Sequence, residues 1–141
     1  MEEKYLRIIN KAFEIRKRAY TPYSGYKVGA ALLCNNGLAY LGCNIENGAY
    51  GPSICAERVA FVEAVKNGER DFDAIAIVTG YDNADIYEMA SPCGVCRQFM
   101  SEFCDDDFKI IMTKVDKNGN LLDSKILNMN EILPDRFKLK G

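Results

Sequence analysis

The chain of 141 residues contains no histidine. This absence excludes Ser-His-Asp and Cys-His catalytic groups, and it excludes any metal site with an imidazole ligand. Proton transfer near neutral pH must therefore fall to Glu, Asp, Lys, Tyr, Cys or a water molecule held by a metal.

The chain also lacks a basic excess and a long apolar run. Its net charge is −2, which gives no support to binding of nucleic acid or of an anionic membrane. No apolar run approaches the roughly 18 residues of a membrane-spanning helix. The opening Met1-Glu2-Glu3-Lys4 has no apolar segment of the kind found in export signals. We therefore expect a cytoplasmic protein without nucleic-acid or membrane partners.

The order of helical and extended patterns predicts one α/β domain over residues 1–141. Helices are predicted over residues 3–20, 55–67, 94–104 and 129–133, and strands over residues 26–34, 38–43, 73–79, 108–114 and 121–126. Asn36-Gly37 is typical of a tight hairpin between the first two strands. The later alternation of strands and helices predicts parallel strands joined by crossovers. We expect a three-layer α/β/α sandwich with a mixed five-stranded sheet.

Three of the six cysteines lie at the predicted starts of two helices. Cys93 and Cys96 share one helical turn, and Cys55 begins the preceding helix. Because both helices follow strands of one sheet, their N-termini should meet at the same edge. Three converging thiols suit a catalytic zinc ion, which leaves its fourth position open for water. The other cysteines lie in apolar patterns and are expected to pack in the core: Cys34, Cys43 and Cys104.

Charged residues follow these cysteines at helical spacing. Arg58 and Arg97 can each reach back over one turn toward the sulfurs. Such donors would withdraw negative charge from a zinc ion held by three thiolates. Glu57 lies in the first turn, where side chains tilt toward the helix start. A carboxylate beside an activated water can act as a general base and then as a general acid.

Two other interpretations remain open on these residues alone. A CxxC pair is also found in thiol-redox proteins and in structural zinc-binding modules. The redox interpretation leaves Cys55, Glu57 and Arg58 without a role. A structural zinc needs a fourth protein ligand, which here must be another cysteine or a carboxylate.

The combined motifs resemble a known family. Cys55-Ala56-Glu57 followed by Pro92-Cys93-x-x-Cys96 is similar to the zinc nucleobase deaminase signature in its all-cysteine form. The similarity to the small homotetrameric cytidine deaminases covers nearly the whole chain. It extends to Pro22-Tyr23-Ser24-x-Tyr26-x-Val28-Gly29-Ala30-Ala31-Leu32, Gly42-Cys43-Asn44-Ile45-Glu46-Asn47, Ser91-Pro92-Cys93-Gly94-x-Cys96-Arg97-Gln98 and Leu133-Pro134-x-x-Phe137.

The resemblance implies zinc-dependent hydrolytic deamination of cytidine and deoxycytidine to the uridines and ammonia, a reaction of pyrimidine salvage. It implies one zinc ion per subunit, held by Cys55, Cys93 and Cys96. Glu57 would take a proton from the attacking water, protonate N3 of cytosine and pass a proton to the departing ammonia.

Substrate contacts also follow from the resemblance. The backbone N–H of Ala56 would hold the pyrimidine carbonyl, and the backbone carbonyl of Ser91 would receive the leaving amine. Asn44 and Glu46 resemble a pair that reads the 3′-hydroxyl of the sugar. Tyr26 stands where the family commonly has Phe, and it would pack on the base.

Tyr50 and Phe137 resemble residues that reach the active site of a neighbouring subunit. The resemblance thus implies a homotetramer with shared active sites. Gly48 replaces a position that is usually Ala, which could change the fit of the pocket slightly. Deamination of a related aminopyrimidine nucleoside such as blasticidin S is the alternative activity. Action on a polynucleotide is disfavoured by the acidic composition.

Overall fold

The computed structural model describes residues 1–139, which form four helices and six strands. In chain order these are α1 (Glu3–Arg16), β1 (Tyr26–Cys34), β2 (Ala39–Cys43), α2 (Ala56–Lys66), β3 (Phe72–Tyr81), β4 (Ile86–Tyr87), α3 (Gly94–Ser101), β5 (Lys109–Asp116), β6 (Leu121–Asn128) and α4 (Met129–Ile132). None of the helices in this part of the chain is long and apolar enough to cross a membrane.

The strands form one mixed sheet. β1 lies between β2 and β3 and is antiparallel to both, whereas β3 and β5 are parallel neighbours. Two antiparallel steps separate β2 from β3, so β2, β3 and β5 all run in the same direction. Helices α2 and α3 come between these strands in the sequence, and both therefore begin at one edge of the sheet.

The sheet has six strands rather than the predicted five. The additional strand, β4, pairs Ile86 and Tyr87 with Asp116 and Val115 at the end of β5. It lies within residues 80–90, which have the composition of a polar loop. Two residues are too few to show the alternation of a strand, so the sequence carried no signal for it.

Helix α1 ends at Arg16, although a helix was predicted as far as residue 20. The chain leaves the helix because Tyr20 pairs with the loop after β2. Its N–H donates to the carbonyl of Asn44 at 2.9 Å, and its carbonyl accepts from the N–H of Glu46 at 2.8 Å. This pairing fixes the loop that carries Asn44 and Glu46.

Alternate strand residues pack on opposite faces of the sheet, which confirms the predicted three layers. One face packs against α1 through Ala31, Leu33, Ala76, Val78 and Ile111. The other face packs against α2, α3 and α4 through Ala30, Leu32, Ile75, Ile77 and Ile110. Of the three cysteines expected in the core, Cys34 and Cys104 are buried and Cys43 is half-buried.

Two glycines let helices approach the sheet closely. A Cβ atom on Gly42 would collide with the carbonyl oxygen of Ala56 and the backbone nitrogen of Ala60 in α2. A Cβ atom on Gly29 would collide with the carbonyl oxygen of Ala12 in α1, on the opposite face. Gly42 therefore sets the distance between the sheet and the helix that starts beside Cys55.

Candidate metal centre and adjoining cleft

The starts of α2 and α3 bring three sulfur atoms together. Cys55 and Cys93 are the N-cap residues of the two helices, and Cys96 lies in the first turn of α3. The Sγ of Cys93 lies 3.9 Å from that of Cys55 and 3.4 Å from that of Cys96, and all three lie within 4.8 Å of one another. Tetrahedral zinc with bonds of about 2.3 Å to sulfur holds its ligands about 3.8 Å apart, so the cluster fits such an ion.

The polarity of the cluster favours a thiolate. The neighbouring thiol of Cys96, together with Arg58, lowers the pKa of Cys55 to about 5. The proximity of Cys55 and burial raise the pKa of Cys96. The backbone N–H of Cys96 also donates to the Sγ of Cys93 at 3.5 Å. The helix dipoles add to this preference, since both helices point their positive ends at the sulfurs.

Arg58 lies against the sulfur cluster. Its Nη2 donates to the Sγ of Cys55 at 3.7 Å, and this contact is the main reason that the pKa of Arg58 is raised. Its Nε is buried and has no hydrogen-bond partner within residues 1–139. The guanidinium thus places a positive charge beside sulfur, where it offsets the charge of the thiolates.

Arg97 lies differently from the prediction. Its Nε donates to the carbonyl of Pro92 and its Nη1 donates to the carbonyl of Ile132, both at 2.8 Å. In the part of the chain that the structure describes, it donates to no sulfur. The cause is α4, whose final carbonyl groups lack helical partners and lie within reach. Arg97 therefore ties the residue before Cys93 to the C-terminal helix.

Glu57 is buried next to the cluster. It is the second residue of α2, and its side chain is only 4% exposed. Burial raises the pKa of its carboxyl group to about 7. The preceding residue, Ala56, is fully buried and begins the helix, so its N–H has no acceptor within the helix.

Two cavities adjoin the sulfurs and form one cleft. The inner cavity, of about 220 Å³, contains Glu57 and Cys93 in its wall. The outer cavity, of about 420 Å³, contains Glu46. Because Asn44 and Cys55 line both cavities, the two cavities lie next to each other beside the sulfur cluster.

Asn44 is fixed at the boundary of the two cavities. Its Oδ1 accepts from the N–H of Val28 and its Nδ2 donates to the carbonyl of Tyr26, both at 2.9 Å. The side-chain amide thus continues the hydrogen bonding of β1 beyond the end of its partner strand. Nδ2 keeps a second hydrogen that can point at a ligand.

Glu46 is fixed in the outer cavity. Its Oε1 accepts from the N–H groups of Tyr23 and Ser24 at 3.0 and 3.1 Å, and its Oε2 accepts from the Ser24 hydroxyl. The hydrogen bond from the Ser24 hydroxyl is the main reason that the pKa of Glu46 lies below its usual value. A charged acceptor is therefore ready at this end of the cleft.

The remaining predicted substrate residues lie in three places. Tyr26 and Ser91 line the inner cavity, where the ring of Tyr26 packs edge-on against Tyr81 at 5.1 Å between centroids. Tyr50 lines the outer cavity and is 73% exposed. Phe137 is 69% exposed and lines neither cavity of its own chain.

Two residues of the cleft were not predicted from the sequence. The Ser24 hydroxyl donates to the carboxylate of Glu46. Ser24 lies inside the Pro22-Tyr23-Ser24 motif, so the motif could have indicated a role for it in the site. Thr79 lines the inner cavity from β3. No local pattern marks it, because it is a single polar residue near the end of a mostly apolar strand.

An α/β sandwich with three converging cysteines, a buried glutamate and a cleft that reaches them has the features of a metal-dependent hydrolase. Residues 2–112 match the family model described as the cytidine and deoxycytidylate deaminase zinc-binding region. The chain therefore belongs to this family of zinc-dependent deaminases. Zinc is its cofactor, and Cys55, Cys93 and Cys96 are the cluster that could hold it.

Individual relatives cover nearly the whole chain. The cytidine deaminase of Halalkalibacterium halodurans is 43% identical over 131 residues, which are 92% of this chain and 91% of that protein. The cytidine deaminase of Sporosarcina psychrophila is 41% identical, with 93% and 89% covered. The crystal structure of the cytidine deaminase from Burkholderia pseudomallei matches with a TM-score of 0.81 at 37% identity, covering 97% of this chain and 100% of that one.

Proposed function

We propose that the protein deaminates cytidine and deoxycytidine to uridine and deoxyuridine in pyrimidine salvage. The observation that carries this proposal is the buried Glu57 beside three converging sulfurs, at the inner end of a cleft whose outer part presents Asn44 and Glu46. The relatives above are named cytidine deaminases, which supports the same substrate.

The pyrimidine occupies the inner cavity in this proposal. Zinc, when bound, supplies an acidified water as the nucleophile. Glu57 would take the first proton of that water and deliver it to N3, and it would then take the second proton, from the hydroxyl group added at C4, and pass it to the departing amine. It is the one carboxylate in the wall of the inner cavity among the described residues.

Three further groups hold the pyrimidine. The free N–H of Ala56 donates to the C2 carbonyl, since it starts α2 and has no helical acceptor. The backbone carbonyl of Ser91 accepts from the leaving amine. Tyr26 packs on the ring, and its own ring is supported by Tyr81. These contacts orient the carbon that is attacked.

The sugar occupies the outer cavity. Glu46 accepts from the 3′-hydroxyl and the second Nδ2 hydrogen of Asn44 donates to it, so both ends of that hydroxyl are used. Nothing in this assignment reads the 2′ position, and ribose and deoxyribose should both be accepted.

We also propose a homotetramer in the cytoplasm. Tyr50 and Phe137 are exposed in the single chain, as expected for residues that reach the site of a neighbouring subunit. All six cysteines are free, which suits a reducing compartment. The metal-binding thiols depend on that state.

The substrate proposal is tested by steady-state assays that follow the fall in ultraviolet absorbance on deamination. Cytidine and deoxycytidine should both react, with kcat/KM values within about tenfold of each other, because the two substrates share every proposed contact. Blasticidin S should react more slowly, because Asn44 and Glu46 suit an unmodified sugar. Activity on an oligonucleotide without activity on free cytidine would contradict the proposal.

The role of Glu57 is tested by Glu57→Gln. This variant should keep its fold and its zinc but lose roughly three to four powers of ten in kcat, because the amide cannot carry the proton. Glu63→Gln is the matched control, since Glu63 lies on the same helix but is exposed and pairs with Lys66. Kinetics, metal analysis and thermal unfolding give the three readouts. If the protein were instead a thiol-redox protein or a structural zinc protein, neither the wild type nor either variant would turn over cytidine.

A further inference from the structure

The loop that carries Ser91 is held by side chains rather than by backbone pairing. Residues 88–92 connect β4 to α3 and belong to no helix or strand. Within residues 1–139, the loop and turn hydrogen bonds between backbone groups bypass this segment. Its position must therefore depend on contacts made by other side chains.

Hydrogen bonds from two side chains fix its ends. The hydroxyl of Thr79 donates to the carbonyl of Glu88 at 2.8 Å. At the other end, Arg97 donates to the carbonyl of Pro92 at the same distance. Between them, the Ser91 hydroxyl lies 3.3 Å from the sulfur of Met112, which is a weaker contact. The Ser91 carbonyl thus lies between two carbonyls, those of Glu88 and Pro92, that are each fixed by a side-chain hydrogen bond.

Thr79 is an unusual residue for its place in the sheet. Ile75 and Ile77 point from β3 into the layer of α2 and α3, and Thr79 is the next residue in that series. It is 4% exposed and lines the inner cavity. A valine of the same shape would fill the space without burying a hydroxyl, which costs free energy unless the hydroxyl is hydrogen-bonded. Its bond to Glu88 supplies that compensation.

We propose that Thr79 is a positioning residue for the deamination. Its hydroxyl fixes the Glu88 carbonyl and, through the short segment that follows, the Ser91 carbonyl that accepts the leaving amine. The inference rests on the proposed function, because it gives Thr79 its effect through the Ser91 contact. Displacement of a substrate contact by about 1 Å is enough to lower a rate substantially.

The test is Thr79→Val, which keeps the shape and removes the hydrogen bond. Because the amine contact strengthens as the carbon–nitrogen bond breaks, kcat for cytidine should fall by about tenfold while KM stays within about twofold. Thr79→Ser keeps the hydroxyl and should recover kcat to within about threefold of the wild type. A Thr79→Ser enzyme as slow as Thr79→Val would overturn the proposal.

Thr113→Val is the matched control. Thr113 is 1% exposed and donates to the carbonyl of Ile77 at 2.8 Å, so the variant loses the same type of buried bond. Thr113 follows Met112 on β5 and points to the opposite face of the sheet. Its loss should lower thermal stability without changing kcat. Equal kcat in Thr79→Val and Thr113→Val would show that Thr79 is only structural.

NMR order parameters of the backbone amides separate this inference from the proposed function. Thr79→Val should lower the order parameters at residues 89–91, and Thr113→Val should not. If the wild type fails to deaminate cytidine, the proposed function is wrong, and the positioning role of Thr79 is wrong with it. If the wild type is active but the order parameters at residues 89–91 are unchanged in Thr79→Val, only the inference is overturned.

Discussion

Asn44 shows how one side chain can serve both the sheet and the cleft. Its amide satisfies the N–H of Val28 and the carbonyl of Tyr26 at the end of β1, and it lies in the walls of both cavities. The hydrogen bonds to β1 lock the rotamer, so the remaining amide hydrogen points in a fixed direction. A ligand group held this way loses little conformational freedom on binding.

Asn44→Ala should therefore damage stability and substrate binding together. Two half-buried backbone groups lose their partners, which should lower the free energy of unfolding by about 1–3 kcal/mol. KM for cytidine should rise by about tenfold or more as the sugar contact is lost. Denaturant unfolding and steady-state kinetics measure the two effects.

Asn36→Ala is the control for this substitution. Asn36 also accepts from a backbone N–H, that of Leu38, but it lies in the exposed hairpin between β1 and β2. The control should keep the wild-type KM. An unchanged KM in Asn44→Ala would contradict the assigned sugar contact.

The two arginines show what sequence spacing can and cannot predict about the site. Both lie one helical turn after a cysteine, and the same argument predicted that both would reach the sulfurs. Arg58 donates to Cys55, whereas Arg97 donates to Pro92 and to Ile132, which is 35 residues further along the chain. Spacing on a helix defines what a side chain can reach, but the competing acceptors come from elements that only the fold brings near.

At the scale of helices and strands, the metal cluster depends on how closely α2 approaches the sheet. Cys55 caps α2, and Gly42 on β2 leaves room for the backbone of its first two turns. The Cys93-x-x-Cys96 pair is carried by a separate helix. The distance between the sulfurs is therefore set by the packing of two helices and not by either motif alone.

Gly42→Ala should displace α2 and weaken the metal cluster. The added methyl group meets backbone atoms of Ala56 and Ala60, which cannot move aside as a side chain can. Such overpacking lowers the free energy of unfolding by about 1–3 kcal/mol or more. Zinc should leave faster in a competition with a chelator, because Cys55 and Glu57 move with the helix.

Gly29→Ala is the matched control on the neighbouring strand. Its methyl group meets the backbone of α1 on the other face of the sheet, so a comparable loss of stability is expected. The rate of zinc loss should remain that of the wild type when both variants are measured at a temperature where they stay folded. Equal rates of zinc loss in the two variants would argue against a specific link between Gly42 and the cluster.

The elements themselves were largely predictable, because most carry their own pattern. Apolar runs and the hairpin signal at Asn36-Gly37 predicted the long strands, and β1 and β2 pair across that hairpin. The short strand β4 and the early end of α1 were not predictable. Ile86 and Tyr87 pair with β5, and Tyr20 pairs beside Asn44, so both features depend on partners that are distant in sequence.

At the scale of the whole molecule, one predicted substrate residue, Phe137, lies outside the cleft of its own chain. Phe137 lies in the C-terminal segment, is mostly exposed and lines neither cavity. Tyr50 is exposed at the mouth of the outer cavity. No periodicity in the sequence predicts an assembly, and the tetramer was inferred from the resemblance alone. Sharing of residues between subunits would give both aromatic rings a function.

This sharing predicts that two defective variants restore each other. Glu57→Gln lacks the proton carrier, and Phe137→Ala should lose most activity if the ring completes a neighbour's site. In mixed oligomers, a subunit with intact Glu57 can receive Phe137 from a Glu57→Gln neighbour. Equal co-expression should then give up to about one quarter of wild-type activity, since half of the sites carry Glu57 and half of those meet an intact Phe137.

Two controls complete the co-expression experiment. Co-expression of Glu57→Gln with Cys55→Ser should recover no activity, because Glu57 and Cys55 belong to the same chain's part of each site and no site then has both residues intact. Leu139→Ala changes another exposed apolar residue of the same segment and should stay active by itself. Sedimentation should give the mass of four 15.8 kDa chains for each purified mixture. Activity no greater than the sum of the two separate variants, in oligomers shown to be mixed, would mean that each cleft is complete within one chain and that Phe137 serves no neighbouring site.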